Sequence, residues 1–187
     1  MQLYEKLASS KYATVKLVDA FYESGRAFLV TKLQSHGDLW SFMRKNKVSF
    51  LTEDELKRGA RDVIQTLKHI HDHGYLHNAV EPASIFLSKH QCEDPTCSKT
   101  HSMRLGRFSY ASPIEEHRAQ TEDSKNDTIG NTLIQAPEVL TFGVKARSAA
   151  SDVWALGITL YTLVVGRLPF RHANEILLGA PNWSLSP

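Results

Sequence analysis

The pattern of apolar and polar positions changes period several times along this chain, and each change marks an element. Val15–Phe21 reads V-K-L-V-D-A-F and Ala27–Leu33 reads A-F-L-V-T-K-L, both rich in β-branched and aromatic residues. Glu23-Ser24-Gly25 between them supplies a turn, so the two are predicted to pair as a hairpin. After Ser35-His36-Gly37 a short helical stretch is expected around Asp38–Lys45. From Thr52 the period becomes helical. Thr52 and Glu55 have capping-box spacing, in which each side chain satisfies an orphan backbone N–H at a helix start. Leu56, Ala60, Val63, Ile64, Leu67 and Ile70 then share one face, and Gly74 suits a C-terminal stop. His71 and His73 close this helix and are expected to face solvent, where a cation favours the negative helix end.

Beyond Gly74 the apolar runs shorten to Tyr75-Leu76, Ile85-Phe86-Leu87 and Met103-Arg104-Leu105, read as small strands around a turn. His90–His101 is polar and carries both cysteines, and Ser112–Asn131 is read as one long surface loop. Val153–Val165 is apolar nearly all round, as a buried central helix would be; Gly166 ends it and Pro169 follows. The chain contains no internal repeat.

Composition narrows the classes. The 187 residues hold enough material for one domain with a sizeable core, and 42% are apolar, too many for a disordered chain. A net charge of +2 without a long basic run argues against nucleic acid as a partner. The longest apolar stretch is shorter than the roughly 20 residues a membrane span needs, so no membrane is expected. Two cysteines make no disulfide framework, which points to the cytosol or nucleus. His90, Cys92, Cys97 and His101 could supply two imidazoles and two thiolates to zinc, but Cys-x₄-Cys is not an established zinc spacing. An ordinary polar loop without metal is the expectation there. Thr121, Ser124 and Thr128 are candidate phosphorylation sites in a polar segment.

The ordered segments resemble the protein kinase family. Tyr75–Ile85, reading Y-L-H-N-A-V-E-P-A-S-I, stands where kinases carry the catalytic loop H-R-D-L-K-P-x-N-I. Met103–Ala111 is similar to the strand leading into D-F-G, and Gln135–Leu140 to the A-P-E motif. Ser151–Gly157 matches the D-x-W-x-x-G helix start, and Gly166–Phe170 its usual sequel. The resemblance implies an α+β, kinase-like fold in a single partial domain truncated at both ends. Residues 1–34 would be the end of the small lobe and the hinge, a β-hairpin remnant. Residues 35–187 would be the mainly helical large lobe without its last helices.

The resemblance also implies that the chemistry is gone. Phosphoryl transfer needs positioned charge, and each task needs a particular side chain. Ala79 occupies the place of the catalytic aspartate, Glu81 that of the lysine facing the transferring phosphate, and Ser84 that of the metal-binding asparagine. Arg107, a permanent cation, stands where the principal Mg²⁺ ligand belongs, and Ser109 replaces the glycine after it. No G-x-G-x-x-G occurs, so catalytic residues, metal and a confident ATP site are not expected. Thr31, near the gatekeeper position, and Asp38, matching the ribose-contacting acid, are the remnants of a nucleotide pocket. Arg107 could pair with a nucleotide phosphate without metal; the simpler expectation is that it is solvated or pairs with a nearby carboxylate. The arginine that reads activation-loop phosphate is replaced by Asn78.

Structural residues are retained by comparison. His77 and Phe108 match two members of the family's packed spine, and Leu17 a third. Asp152 would hold the backbone of the degraded loop, or act as a helix N-cap with Ser151. Glu138 is the A-P-E glutamate, whose usual arginine partner falls beyond Pro187. Ser35–Leu39 followed by S-F-M-R also resembles the hinge of the Tribbles group of pseudokinases. The expected function is therefore a pseudokinase-type scaffold or regulatory module that binds a protein partner. The alternatives are a truncated serine/threonine kinase-family product with residual ATP binding, and a non-functional fragment.

Overall fold

The computed structural model describes residues 14–46, 53–89, 101–119 and 131–179. Thr52, His90, Cys92, Cys97, Thr121, Ser124 and Thr128 lie outside them, so the capping box, the Cys/His cluster and the phosphorylation sites rest on sequence alone.

β1 (Leu17–Glu23) and β2 (Arg26–Thr31) form the expected hairpin, with Phe21 opposite Phe28 and Glu23 opposite Arg26. Ser24 and Gly25 both have positive φ, the geometry that matches strand twist in a two-residue turn. α1 (Leu39–Asn46) follows, and after it α2 (Glu53–Asp72), the longest element described. The chain then runs through β3 (Tyr75–Leu76), a short 3₁₀ turn at Pro82–Ser84, β4 (Ile85–Lys89) and β5 (His101–Leu105). A second 3₁₀ turn at Phe108–Tyr110 leads to β6 (Ser112–Pro113) and α3 (Ile114–Ala119). α4 (Pro137–Phe142), α5 (Ala149–Val165) and α6 (Ala173–Leu177) complete the described chain. Three two-stranded antiparallel sheets result: β1–β2, β3–β6 and β4–β5. The fold is α+β.

One core joins most of these elements, while β2 is exposed along its length. Val63, Leu67 and Ile70 of α2 pack with Leu39, Ile85, Leu87, Met103, Leu105, Leu156 and Leu163. Three sequence expectations need correction. Ile64 is half exposed: the buried stripe of α2 is centred on Gly59, Val63, Thr66, Leu67 and Ile70, about 100° away from it around the helix. Thr66 can be buried because its hydroxyl donates to the Asp62 carbonyl.

The segment Ser112–Asn131 is not loop throughout. Ser112 and Pro113 pair with Leu76 and Tyr75, and a helix follows directly. That pairing is set by residues nearly 40 positions away, so no local periodicity announces it. α5, finally, starts at Ala149 and is not buried all round. Val153 and Val164 are largely exposed, whereas polar Ser151, Asp152, Thr159 and Thr162 face inward. Thr159 donates its hydroxyl to the Val80 carbonyl at 2.9 Å and Thr162 to Ile158 at 2.8 Å, so neither is buried unsatisfied. No helix among the described residues is long and apolar enough to cross a membrane.

Candidate functional site

Three pieces of chain converge below the small sheets: the loop from His77 to Ser84 between β3 and β4, the turn from Gly106 to Tyr110 after β5, and the first turn of α5. Ser148 caps α5, exchanging hydrogen bonds with Ser151, and this leaves the Asp152 carboxylate free to point at the loop. Asp152 is therefore not the N-cap. It is only 2% exposed, and its oxygens accept the backbone N–H groups of His77 and Asn78, each at 2.8 Å. His71 Nε2 also lies 2.9 Å from Asp152 Oδ2. The expectation that His71 faces solvent is overturned here. It sits seven residues after half-exposed Ile64, on the flank of α2, and it is drawn inward by Asp152, a partner 81 positions away that no local periodicity announces. His73 is exposed, as read.

His77 is fully buried, and both ring nitrogens are used. Nε2–H donates to the Gly106 carbonyl at 2.9 Å, while Nδ1 accepts the Ala79 N–H at 3.3 Å. Its ring also meets Phe108 edge-on, with centroids 5.1 Å apart. Leu17 packs, half-buried, against the same core. Burial pushes the His77 pKa below its ordinary value of 6.5, and nearby Asp152 only partly opposes this. The unfolded chain then binds the proton more readily than the folded one. The stability His77 contributes is complete above about pH 6.5 and falls as the pH drops below it. Between pH 7.5 and 5.5 the melting temperature should fall more steeply in the wild type than in His77→Gln; equal slopes would contradict the assignment.

The remaining side chains of these loops have local partners. Asn78 adopts a left-handed backbone (φ 62°), which asparagine tolerates, and its amide donates to the Tyr110 carbonyl and the Ser112 hydroxyl at 2.8 Å. From the sequence, Asn78 stands only where an arginine would read loop phosphate. The structure makes it the tie between loop and β6. Ser84 is buried, its hydroxyl donating to the Glu81 carbonyl and accepting the Glu81 N–H, so the oxygen is occupied by its own turn. Arg107 Nη1 lies 3.3 Å from Glu81 Oε1. Of the two readings of Arg107, the structure places it against a carboxylate, that of Glu81. Both side chains are partly exposed, so the pair is worth under about 1 kcal/mol.

Thr31 lies exposed on β2. Asp38 caps α1, accepting the Ser41 N–H at 2.9 Å and its hydroxyl at 2.7 Å. Glu138 lies in the first turn of α4, where a negative charge complements the helix dipole. A cleft of about 430 Å³, including its open mouth, is lined by Ala79, Val80, Glu81, Ile134, Ala136 and Arg147 among others. The donor set does not fit Mg²⁺. Arg107 cannot coordinate it, Ser84 is occupied, and of the two carboxylates lining the cleft Glu81 lies against Arg107 and Asp152 already accepts two backbone N–H groups.

A loop tied by a buried helix-head aspartate, followed by a strand pair and a packed His–Phe contact, defines the large lobe of a kinase-like fold. The chain belongs to the protein kinase domain family, whose model matches residues 1–180. It is 28% identical over 91% of its length to the serine/threonine-protein kinase PDK1 of Cryptococcus neoformans, of which it covers 13%. It is 26% identical over 88% of its length to human 3-phosphoinositide-dependent protein kinase 1, covering 27% of that protein. With the yeast cell cycle serine/threonine-protein kinase CDC5/MSD2 it shares 25% identity over 87% of its length, covering 21% of that chain. The chain thus spans about a quarter or less of each of these three relatives.

Proposed function

We propose that this chain is a pseudokinase-type module, a kinase-family domain that acts as a protein-binding scaffold or regulator without transferring phosphate. The observation that carries this reading is the Glu81–Arg107 pair beside Ala79. In the family pattern a cation at position 81 faces phosphate and an anion at position 107 holds metal. Here the signs are exchanged and the two groups lie against each other, while Ala79 offers no proton acceptor. Electrostatic preorganisation is usually the largest part of catalysis, and every charge it would use here is removed or reversed. What remains intact is the tethering by Asp152, His77 and Phe108, which shapes a lobe and its surface rather than a reaction.

The test is a thermal melt of the purified chain with ATP, once with Mg²⁺ and once with EDTA. A ligand that binds only the native state raises the melting temperature. The expected result is a cooperative melt with no Mg²⁺-dependent shift. A shift that requires Mg²⁺ would show a working metal–nucleotide site and overturn the reading.

A further inference from the structure

The outward face of α5 takes no part in the site above. Asp152 is the only charged residue of this 17-residue helix, and it points inward. Val153 and Val164 are 58% and 42% exposed, and Ala150 and Gly157 are exposed on the same side. With half-buried Tyr161 they fill an arc of about 80° around the helix. A surface helix ordinarily turns charged residues to water, and an uncharged, mainly apolar face marks a place where something docks.

The spacing says what docks there. Ala150 and Val153 stand seven and four residues before Gly157, and Tyr161 and Val164 stand four and seven after it. The stripe is therefore mirror-symmetric about the glycine. An isologous two-fold contact needs this symmetry, because residue i must meet j while j meets i. An unlike partner places no such condition on the face. In an antiparallel pair crossing at Gly157, Val153 of each copy faces Tyr161 of the other, and Ala150 faces Val164. Both pairs set a smaller side chain against a larger one. Gly157 supplies the close approach: a Cβ there would meet nothing within 4 Å, so the space above the backbone is open to a second helix. The distance between packed helices is set by the side chains at the contact, and here there is none.

We infer that two copies of the chain associate through this face, α5 against α5, antiparallel and crossing at Gly157. A single helix face about 25 Å long and about 10 Å wide is smaller than the about 800 Å² a side of a standard interface. The association is therefore reversible and grows with concentration.

The experiment is sedimentation equilibrium of the full chain over a range of concentrations. The average mass is expected to rise from 21.0 kDa toward twice that value. Gly157→Leu should weaken the association at least about tenfold. At low concentration it should melt no lower than the wild type, because the position is open and leucine favours a helix over glycine. Disulfide trapping in a Cys92→Ser/Cys97→Ser background reads the register. Gly157→Cys should cross-link with itself, whereas Val153→Cys, four residues from the crossing, should not. A mass of 21.0 kDa at every concentration would overturn the inference and leave the face to an unlike partner. So would a dimer that Gly157→Leu leaves unchanged, or one that Val153→Cys links as readily as Gly157→Cys.

Discussion

Asp152→Ala is expected to destabilise the chain by about 3–5 kcal/mol, the largest effect of any single substitution considered. The carboxylate is buried and accepts two backbone N–H groups from the same loop. Removing it leaves one buried and one partly buried donor without an acceptor, at about 1–3 kcal/mol for a fully buried one. It also takes away the group beside His71. For a chain of this length the loss corresponds to a fall of roughly 10 °C or more in melting temperature. Asp152→Asn should fall between, since its amide retains one oxygen acceptor but turns an N–H₂ toward groups that already donate. Denaturant unfolding followed by circular dichroism measures both. If Asp152→Ala melts like the wild type, the loop is not held from α5 as described.

Gly59→Ala is the second expected large effect, and its sign runs against the ordinary rule. In a helix interior alanine is normally favoured over glycine by about 1 kcal/mol. Gly59, however, is buried where α2 crosses β5, and a Cβ built there would lie 1.9 Å from Met103 Sδ and 2.7 Å from Met103 Cγ. Met103 is itself buried and has little room to retreat. The clash should outweigh the helix preference and cost about 1–3 kcal/mol net. In a Met103→Val background the same substitution should cost much less, because the obstructing atoms are gone. A stabilising Gly59→Ala in the wild-type background would show that Met103 repacks freely.

Elements whose signal is local were legible in the sequence. The hairpin has a positive-φ turn between two β-rich runs, and α2 has a strong 3.6-residue period with acidic residues at its start. Elements set by distant partners were not. β3–β6 is only two residues long on each side and depends on Tyr75 and Leu76 meeting Ser112 and Pro113. The inward face of α5 carries two threonines and an aspartate, which apolar counting assigns to the outside. At the site, motif order singled out Ala79, Glu81, Ser84, Arg107 and Asp152, which fall in three separate stretches of sequence. What those replacements do instead was not legible. That Glu81 meets Arg107 and Asn78 meets Ser112 follows from two loops brought together by the core, 26 and 34 residues apart. His71 belongs with them: helical spacing puts it on the same half-exposed flank as Ile64, and only Asp152, 81 positions on, turns it inward.

The most direct test of the central claim is transfer of labelled phosphate. The purified chain would be incubated with Mg²⁺ and γ-labelled ATP, alone and with a generic serine/threonine substrate, and compared with a buffer control. The exchanged charges at Glu81 and Arg107 and the methyl group at Ala79 predict incorporation no higher than the control. Mg²⁺-dependent incorporation that rises in proportion to the amount of chain would contradict the account.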